Sequence, residues 1–469
     1  MRKFLKYLSL SLVFIFFMCS CSESAEEIIP EYIDGISGSN LDGMTVNWGF
    51  SMSRYQEGVD NVFGYIPGTV FADTALERKK QIESDYNCKI SVDNDSSSYV
   101  IADKLTASLA SGSRLYDLAT CDTSVLRNLV RGNGYLFGLS SLLNVSNTDK
   151  FGTPNMLQTM LWKDDLYGVV PFAWPDLLYT TTGHLFAVNE NLVSQLGQTD
   201  PREFVEKQTW NWDKLEEVLA LYTHEDAGRT VYGMQCHDAY FAMNMFLSNG
   251  VAFSTYEDGE VVCGAYTEPG RVALERAREI YKVTCKDYIY PDSHTNDGSY
   301  LVNGDVVMYV TGTGGIIGTQ ESLMYKMDNI GILPFPQGPN ATPGIYPSYY
   351  EQITYATCIP VNATDFGAAA LVLDAMFEPF EGLETKDDIA QYMADQIFFD
   401  IRDAQIFIDS IEYTEYGFFW EGGRSVIESA CSADTPISTL LESNRDKYNQ
   451  LVEDYLVPHY QGRIAVYGE

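Results

Sequence analysis

Large aromatic rings beside carboxylates, in stretches broken by glycine or proline, are the residues of this sequence best suited to chemistry. They are Trp174 and Asp176 in Phe172-Ala-Trp-Pro-Asp176, Tyr349, Tyr350 and Glu351 in Tyr346-Pro-Ser-Tyr-Tyr-Glu351, and Trp420 and Glu421 in Tyr416-Gly-Phe-Phe-Trp-Glu-Gly422. A ring covers the apolar C–H face of a sugar while the adjacent carboxylate accepts its hydroxyl hydrogens. Taking roughly 100 Å² of apolar surface out of water contributes about 2 to 3 kcal/mol per platform. With 32 Tyr and six Trp in the chain, most rings must be core. Trp210 and Trp212 flank a helix start with Leu215, Val218, Leu219 and Tyr222 behind it, and Trp48 alternates inward with Met44 and Val46, so all three are assigned to packing. Trp162 fits either role. Trp174 stands between Pro171 and Pro175, where extended backbone makes a large ring hard to bury locally.

Other chemistries find no support. Gly312-Thr-Gly-Gly-Ile-Ile-Gly318 follows a predicted strand, but its third glycine falls one place too late for a dinucleotide fingerprint. Asp93-Asn-Asp-Ser-Ser-Ser98 begins like a calcium loop, yet Ser98 stands at position six and Lys104 at position twelve. His184, His224, His237, His294 and His459 form no metal spacing, and Cys236-His237 are neighbours in sequence, which does not make them a dyad. No G-x-S-x-G serine is present, so no cofactor, metal or catalytic group is expected. The rival reading is a secreted glycosidase built on paired carboxylates, which need no local motif. With 65 Asp and Glu against 30 Lys and Arg, the surface repels nucleic acid.

The elements that must position the rings begin with an export signal. Arg2, Lys3 and Lys6 precede an apolar run from Leu8 to Met18, and Ser20 gives a small residue before Cys21. The run is too short for the ~30 Å core of a bilayer. Residues 1–20 read as a signal peptide and 21–41 as a tether. Alternation in Met44–Phe50 predicts a strand, and Thr74-Ala-Leu-Glu77 a capping box opening a helix with Ala75, Ile82 and Tyr86 on one face. A second strand holds Cys88, Ile90 and Val92; a second helix holds Ile101, Leu105 and Leu109; Tyr116–Thr120 makes a third strand and Thr123 starts a third helix. This β-α-β-α-β order argues for an α/β fold with a mostly parallel sheet flanked by helices. After loss of Cys19 and acylation of Cys21, seven cysteines remain, an odd number without C-x-x-C, and many fall in apolar runs as buried thiols.

Met18-Cys19-Ser20-Cys21 resembles a bacterial lipobox, which implies a lipidated Cys21. Leu109-Ala-Ser-Gly112, Tyr116-Asp-Leu118 and the run Arg131 to Leu142 resemble the opening blocks of family 1 extracellular solute-binding proteins, the maltose-binding type of ABC-importer receptor. Further blocks follow in that family's order: Tyr167-Gly-Val-Val-Pro171, Thr181 to Glu190, Thr209-Trp-Asn-Trp-Asp-Lys-Leu215, Val231-Tyr-Gly-Met234, Asn303-Gly-Asp-Val-Val-Met308, Ile330 to Gly338, and Ile359 to Glu378. The sequence departs from it at Thr181-Thr182, where an Asn is usual, and at Val307, where Ala is. The resemblance implies a two-lobe periplasmic-binding-protein-like fold of type II, with residues 42–170 and 345–400 in one lobe, 175–335 and 405–469 in the other, and ligand in the cleft between. It implies strand crossings near Pro171 to Thr182 and Leu333 to Pro339, a ligand contact at Asp122 unless that residue caps the helix at Thr123, and a stacking aromatic at Trp420. It further implies a monomeric receptor, lipid-anchored on the outer face of the cell membrane, that delivers a neutral carbohydrate to permease subunits. A peptide or other solute is the alternative ligand.

Overall fold

The strand expected from alternation in Met44–Phe50 forms as Thr45–Phe50, and the two strands that follow pair with it in parallel on either side. The computed structural model describes residues 39–51, 62–94, 97–132, 134–171, 174, 183–291, 298–317, 322–350, 355–416 and 424–468. The signal peptide, Cys21 and most of the tether lie outside the described residues. The first sheet runs Tyr355–Cys358, Leu118–Asp122, Thr45–Phe50, Lys89–Asn94, with Tyr355–Cys358 antiparallel to its neighbour. Leu118–Asp122 is buried along its whole length because helices cover both faces of the sheet. The helix expected at Thr74 starts earlier, as Val70–Asp85, since Phe71 and Ala72 bury in its first turn; the Thr74 hydroxyl donates to the Val70 carbonyl at 2.9 Å inside it. Helix Phe366–Met376 carries Ala368, Ala369, Ala370, Leu371, Val372 and Leu373 in succession and is buried nearly all round.

The second sheet runs Ile330–Leu333, Leu185–Asn189, Val306–Thr311, Arg229–Gln235, His224–Asp226. Val306–Thr311 is parallel to Arg229–Gln235, and the other pairings are antiparallel. The first sheet therefore keeps the parallel pattern, whereas the second is mixed, because Leu185–Asn189 enters against its neighbours and a tight turn joins His224–Asp226 to Arg229–Gln235.

Each sheet has its own apolar core. One gathers mainly Val46 to Trp174 and Tyr355 to Ile411, the other Phe186 to Tyr349 and Val426 to Leu456. Helix Ile401–Glu412, expected largely in the second lobe, straddles the two. Ala404, Phe407, Ile408 and Ile411 pack in the first core, while Asp403 accepts the Ile332 amide at 2.9 Å and Arg202 Nη1 at 2.8 Å from the second. The last helix, Val457–Tyr467, also departs from the expected boundary: it lies on the hairpin Leu161–Trp162 and Asp165–Leu166 of the first lobe. Gly462 permits this approach, since a Cβ there would stand 2.7 Å from the Trp162 nitrogen.

On that helix His459 is 3% exposed. Burial, with Arg463 and Arg131 adding to it, draws the imidazole pKa down to about 3. A histidine whose folded pKa lies below its unfolded value of about 6.5 contributes stability that is complete above pH 6.5 and lost as pH falls toward 3. We expect about 1.4 kcal/mol lost per pH unit in that window. Urea unfolding at pH 7, 5 and 4 should show a shallower loss for His459→Gln than for the native chain, and equal slopes would contradict it.

Candidate functional site

Open α/β sheets bind ligands beyond the carboxyl ends of their parallel strands. On the first lobe those ends carry Ser51 and Asp122. The Asp122 amide donates to Ser98 Oγ at 3.1 Å, and its Oδ1 accepts the Ser124 amide at 2.7 Å. With 7% exposure, Asp122 is thus the N-cap of helix Thr123–Arg131, the second of the roles open to it.

On the second lobe the strand Arg229–Gln235 ends at Cys236-His237, where helix Asp238–Leu247 begins. His237 caps that helix, its Nδ1 accepting the Ala239 amide at 3.2 Å, and Asp238 follows. Within its first turn, the half-buried Tyr240 lies face to face with His184, ring centroids 4.0 Å apart, and beside His237 at 4.9 Å. Asn244 accepts the Tyr349 amide at 2.7 Å and donates to the Tyr240 carbonyl at 2.8 Å, while the Tyr349 carbonyl accepts the His184 amide at 3.1 Å. The helix start is therefore bolted to the chain where it passes between lobes. Cys236, fully buried, donates its S–H to the His237 carbonyl, and burial raises its pKa well above the ordinary thiol value, so it is no nucleophile. Of the seven cysteines among the described residues, six are buried and Cys88 is half-buried, all of them free.

Three passages between lobes meet here. Strand Ser348–Tyr350 pairs in parallel with Thr414–Tyr416, and the Gly183 amide donates to Thr414 Oγ1 at 3.0 Å. A side chain at 183 would collide with Ser348 Oγ, which glycine avoids. The expected crossing near Leu333 to Pro339 falls later: the Gln337 and Gly338 amides still bond to Trp210 and Ser248 of the second lobe, and the chain crosses at Ser348–Tyr350.

The rings proposed from sequence separate on inspection. Trp174 has no exposed surface. It forms a cluster with Tyr65 and Phe380, ring centroids at 5.9 and 5.7 Å, with Phe377 edge-on at 5.4 Å. Local backbone does not bury it; residues distant in sequence do, and the ring offers a sugar no face in this arrangement. Tyr349 is also fully buried, edge-on to Phe253 at 5.4 Å, because alternation along Ser348–Tyr350 turns it into the second core. Tyr350 lies in the same strand, while Asp176, Glu351, Trp420 and Glu421 lie outside the described residues. Trp48, Trp210 and Trp212 are buried as expected of packing residues, and Trp162 joins them at 9% exposure. Sequence reasoning missed the group His184, His237, Asp238 and Tyr240; its signal was position, directly after a parallel strand. No cluster of His, Cys, Asp or Glu fit to hold a metal occurs among the described residues.

Solved structures share this architecture at low identity. A sugar transporter from Rhizobium etli in an open conformation superposes with a TM-score of 0.60 at 16% identity, over 88% of this chain and 98% of that one. An ABC substrate-binding protein from Listeria monocytogenes in complex with cycloalternan gives 0.55 at 14%, over 87% and 99%. A Mycobacterium tuberculosis protein in complex with glycerophosphocholine gives 0.52 at 16%, over 81% and 95%. Among curated proteins none matches this sequence. The family model for the bacterial extracellular solute-binding protein matches residues 70–379, well over half the chain, and the chain belongs to that family.

Proposed function

We propose that this protein is the lipid-anchored receptor of an ABC importer, closing two lobes on a neutral carbohydrate, most simply an oligosaccharide, and passing it to permease subunits. The observation that carries the reading is Tyr240, a half-buried ring beyond the end of a parallel strand, backed by His184 and with Asp238 on the same turn. A tyrosine braced by neighbouring rings is held in place at low entropic cost, and a carboxylate nearby can accept sugar hydroxyls. Relatives of this fold bound to cycloalternan and described as sugar transporters support the ligand class. Trp420 and Glu421, with Asp176, Tyr350 and Glu351, are proposed to complete the cleft.

Tyr240→Ala should weaken oligosaccharide binding by about 1 to 3 kcal/mol, a factor of roughly 5 to 150, in titration calorimetry. Unchanged affinity would remove Tyr240 from the site. A receptor returns its sugar intact, whereas the glycosidase alternative would yield products. Binding of glycerophosphocholine in place of sugars would favour the non-sugar reading, for which one relative of the fold gives a precedent.

The anchor rests on the basic, apolar and small segments that end at Cys21. No helix among the described residues is long and apolar enough to cross a membrane. Since one acyl chain binds a bilayer only marginally, two or more are required at Cys21. Cys21→Ser should release the protein into the medium; retention at the membrane with fatty acid still incorporated would refute the assignment.

A further inference from the structure

Side chains at register partners of two strands share a face, so in the parallel pair Ser348–Tyr350 and Thr414–Tyr416 the side chain of Glu415 goes the way of Tyr349, toward Phe253. Glu415 is half-buried there, and among the described residues its side chain makes neither a hydrogen bond nor an ion pair. Burial raises its carboxyl pKa above the ordinary glutamate value, and the charge of Arg463 offsets only part of the shift. Glu415 borders a cavity of about 340 Å³ that is also lined by Gln158, Phe253, Tyr256, His459 and Arg463. This cavity lies away from the candidate site. Tyr240 is in the first turn of the ten-residue helix Asp238–Leu247, whereas Phe253 to Tyr256 follow that helix's far end, about 15 Å along.

The wall states what would fill it. Its charged groups are one carboxylate, Glu415, and one guanidinium, Arg463, since burial keeps His459 neutral. Arg463 Nη1 donates to Asn155 Oδ1 at 3.4 Å, and no ion pair joins it to Glu415, so opposite charges share the cavity without closing on each other. Gln158, only 8% exposed, adds an Nε2 donor that has no hydrogen-bond partner, a costly state for a buried amide. The volume equals that of roughly eleven waters at about 30 Å³ each, which admits a solute of about ten non-hydrogen atoms. We propose that this cavity is a second binding site, for a small zwitterion of the free amino-acid class: the ammonium meets Glu415, the carboxylate accepts from Gln158 Nε2 and Arg463, and the side chain lies along Phe253 and Tyr256. A neutral polyol would satisfy Gln158 but leave the Glu415 carboxylate without a cation.

Titration calorimetry of the mature protein with free L-amino acids tests this, with L-glutamine, which suits the volume, as the first probe. L-Glutamine should bind one to one. 4-Aminobutanamide, which lacks its carboxylate, and 4-carbamoylbutanoate, which lacks its ammonium, should each bind more weakly by about tenfold or more. Glu415→Gln and Gln158→Leu should each weaken L-glutamine by a similar factor, about tenfold or more. Both substitutions remove a polar group that has no partner in the ligand-free protein, so the ligand-free melting temperature should hold or rise, whereas groups kept for structure alone would lower it. Absence of binding by every free amino acid overturns the proposal, and so does equal binding of either fragment. Binding that both variants leave unchanged also overturns it, because the amino acid would then lie elsewhere, in the cleft between the lobes. None of these outcomes depends on whether the protein binds a sugar, so the proposed function stands or falls separately.

Discussion

Replacing Trp174 by Ala lowers the stability of the fold by about 3 to 5 kcal/mol, the range for removing a large ring from a core. The ring is enclosed by Phe63, Tyr65, Phe377 and Phe380, which come from two separate parts of the chain. Its loss would leave a cavity bounded by stiff aromatic walls with little freedom to collapse. The buried Nε1–H of Trp174 makes no hydrogen bond. Trp174→Phe, which removes that unsatisfied donor while keeping a ring, should therefore cost far less than Trp174→Ala. Urea unfolding of both variants, with calorimetry on the folded fraction, checks this. A Trp174→Ala protein that melts normally but loses sugar binding would return the ring to the cleft.

Loss of the Lys150 ammonium should cost about as much, 3 to 5 kcal/mol, because it leaves a buried carboxylate without its cation. Lys150, only 4% exposed, is paired with Asp374 at 2.7 Å and Glu378 at 2.5 Å, and Asp374 is 3% exposed. The pair fastens helix Thr148–Phe151 to helix Phe366–Met376, beside the Phe377 ring that closes on Trp174. Lys150→Met should be strongly destabilising in chemical denaturation, and the double variant Lys150→Met with Asp374→Leu should recover most of the loss, since two well-packed apolar chains need no partner. If the single variant unfolds at the native midpoint, the pair contributes nothing and this account of the first lobe is wrong.

Period carried most of the fold. Strands Thr45–Phe50 and Lys89–Asn94 and helix Ser98–Ser111 follow from spacing alone, because a half-buried strand or helix must repeat its apolar residues at the period of its backbone. The start at Val70 was missed because a capping box names a possible beginning, and burial of Phe71 and Ala72 chose an earlier one. The site was less legible. Isolation between prolines made Trp174 look exposed, yet the rings that bury it stand more than 100 positions away on one side and 200 on the other. Tyr349 reads as one of a pair of tyrosines in a broken stretch, and only its register beside Glu415 shows which face it takes. His237, Asp238 and Tyr240 carry no motif; the strand before them gives them a role. The return of the last helix to the first lobe depends on Gly462 meeting Trp162, a contact that no local pattern announces.

The central claim is that the protein binds a neutral oligosaccharide and does not transform it. Thermal unfolding of the mature protein against a panel of oligosaccharides, each recovered afterwards and analysed for cleavage, tests it most directly. At a ligand concentration a hundred times the dissociation constant, a cognate sugar adds about 2.7 kcal/mol to stability. The account predicts a rise in melting temperature with at least one such sugar, recovered intact; cleavage products, or a melting temperature that no oligosaccharide moves, would contradict it.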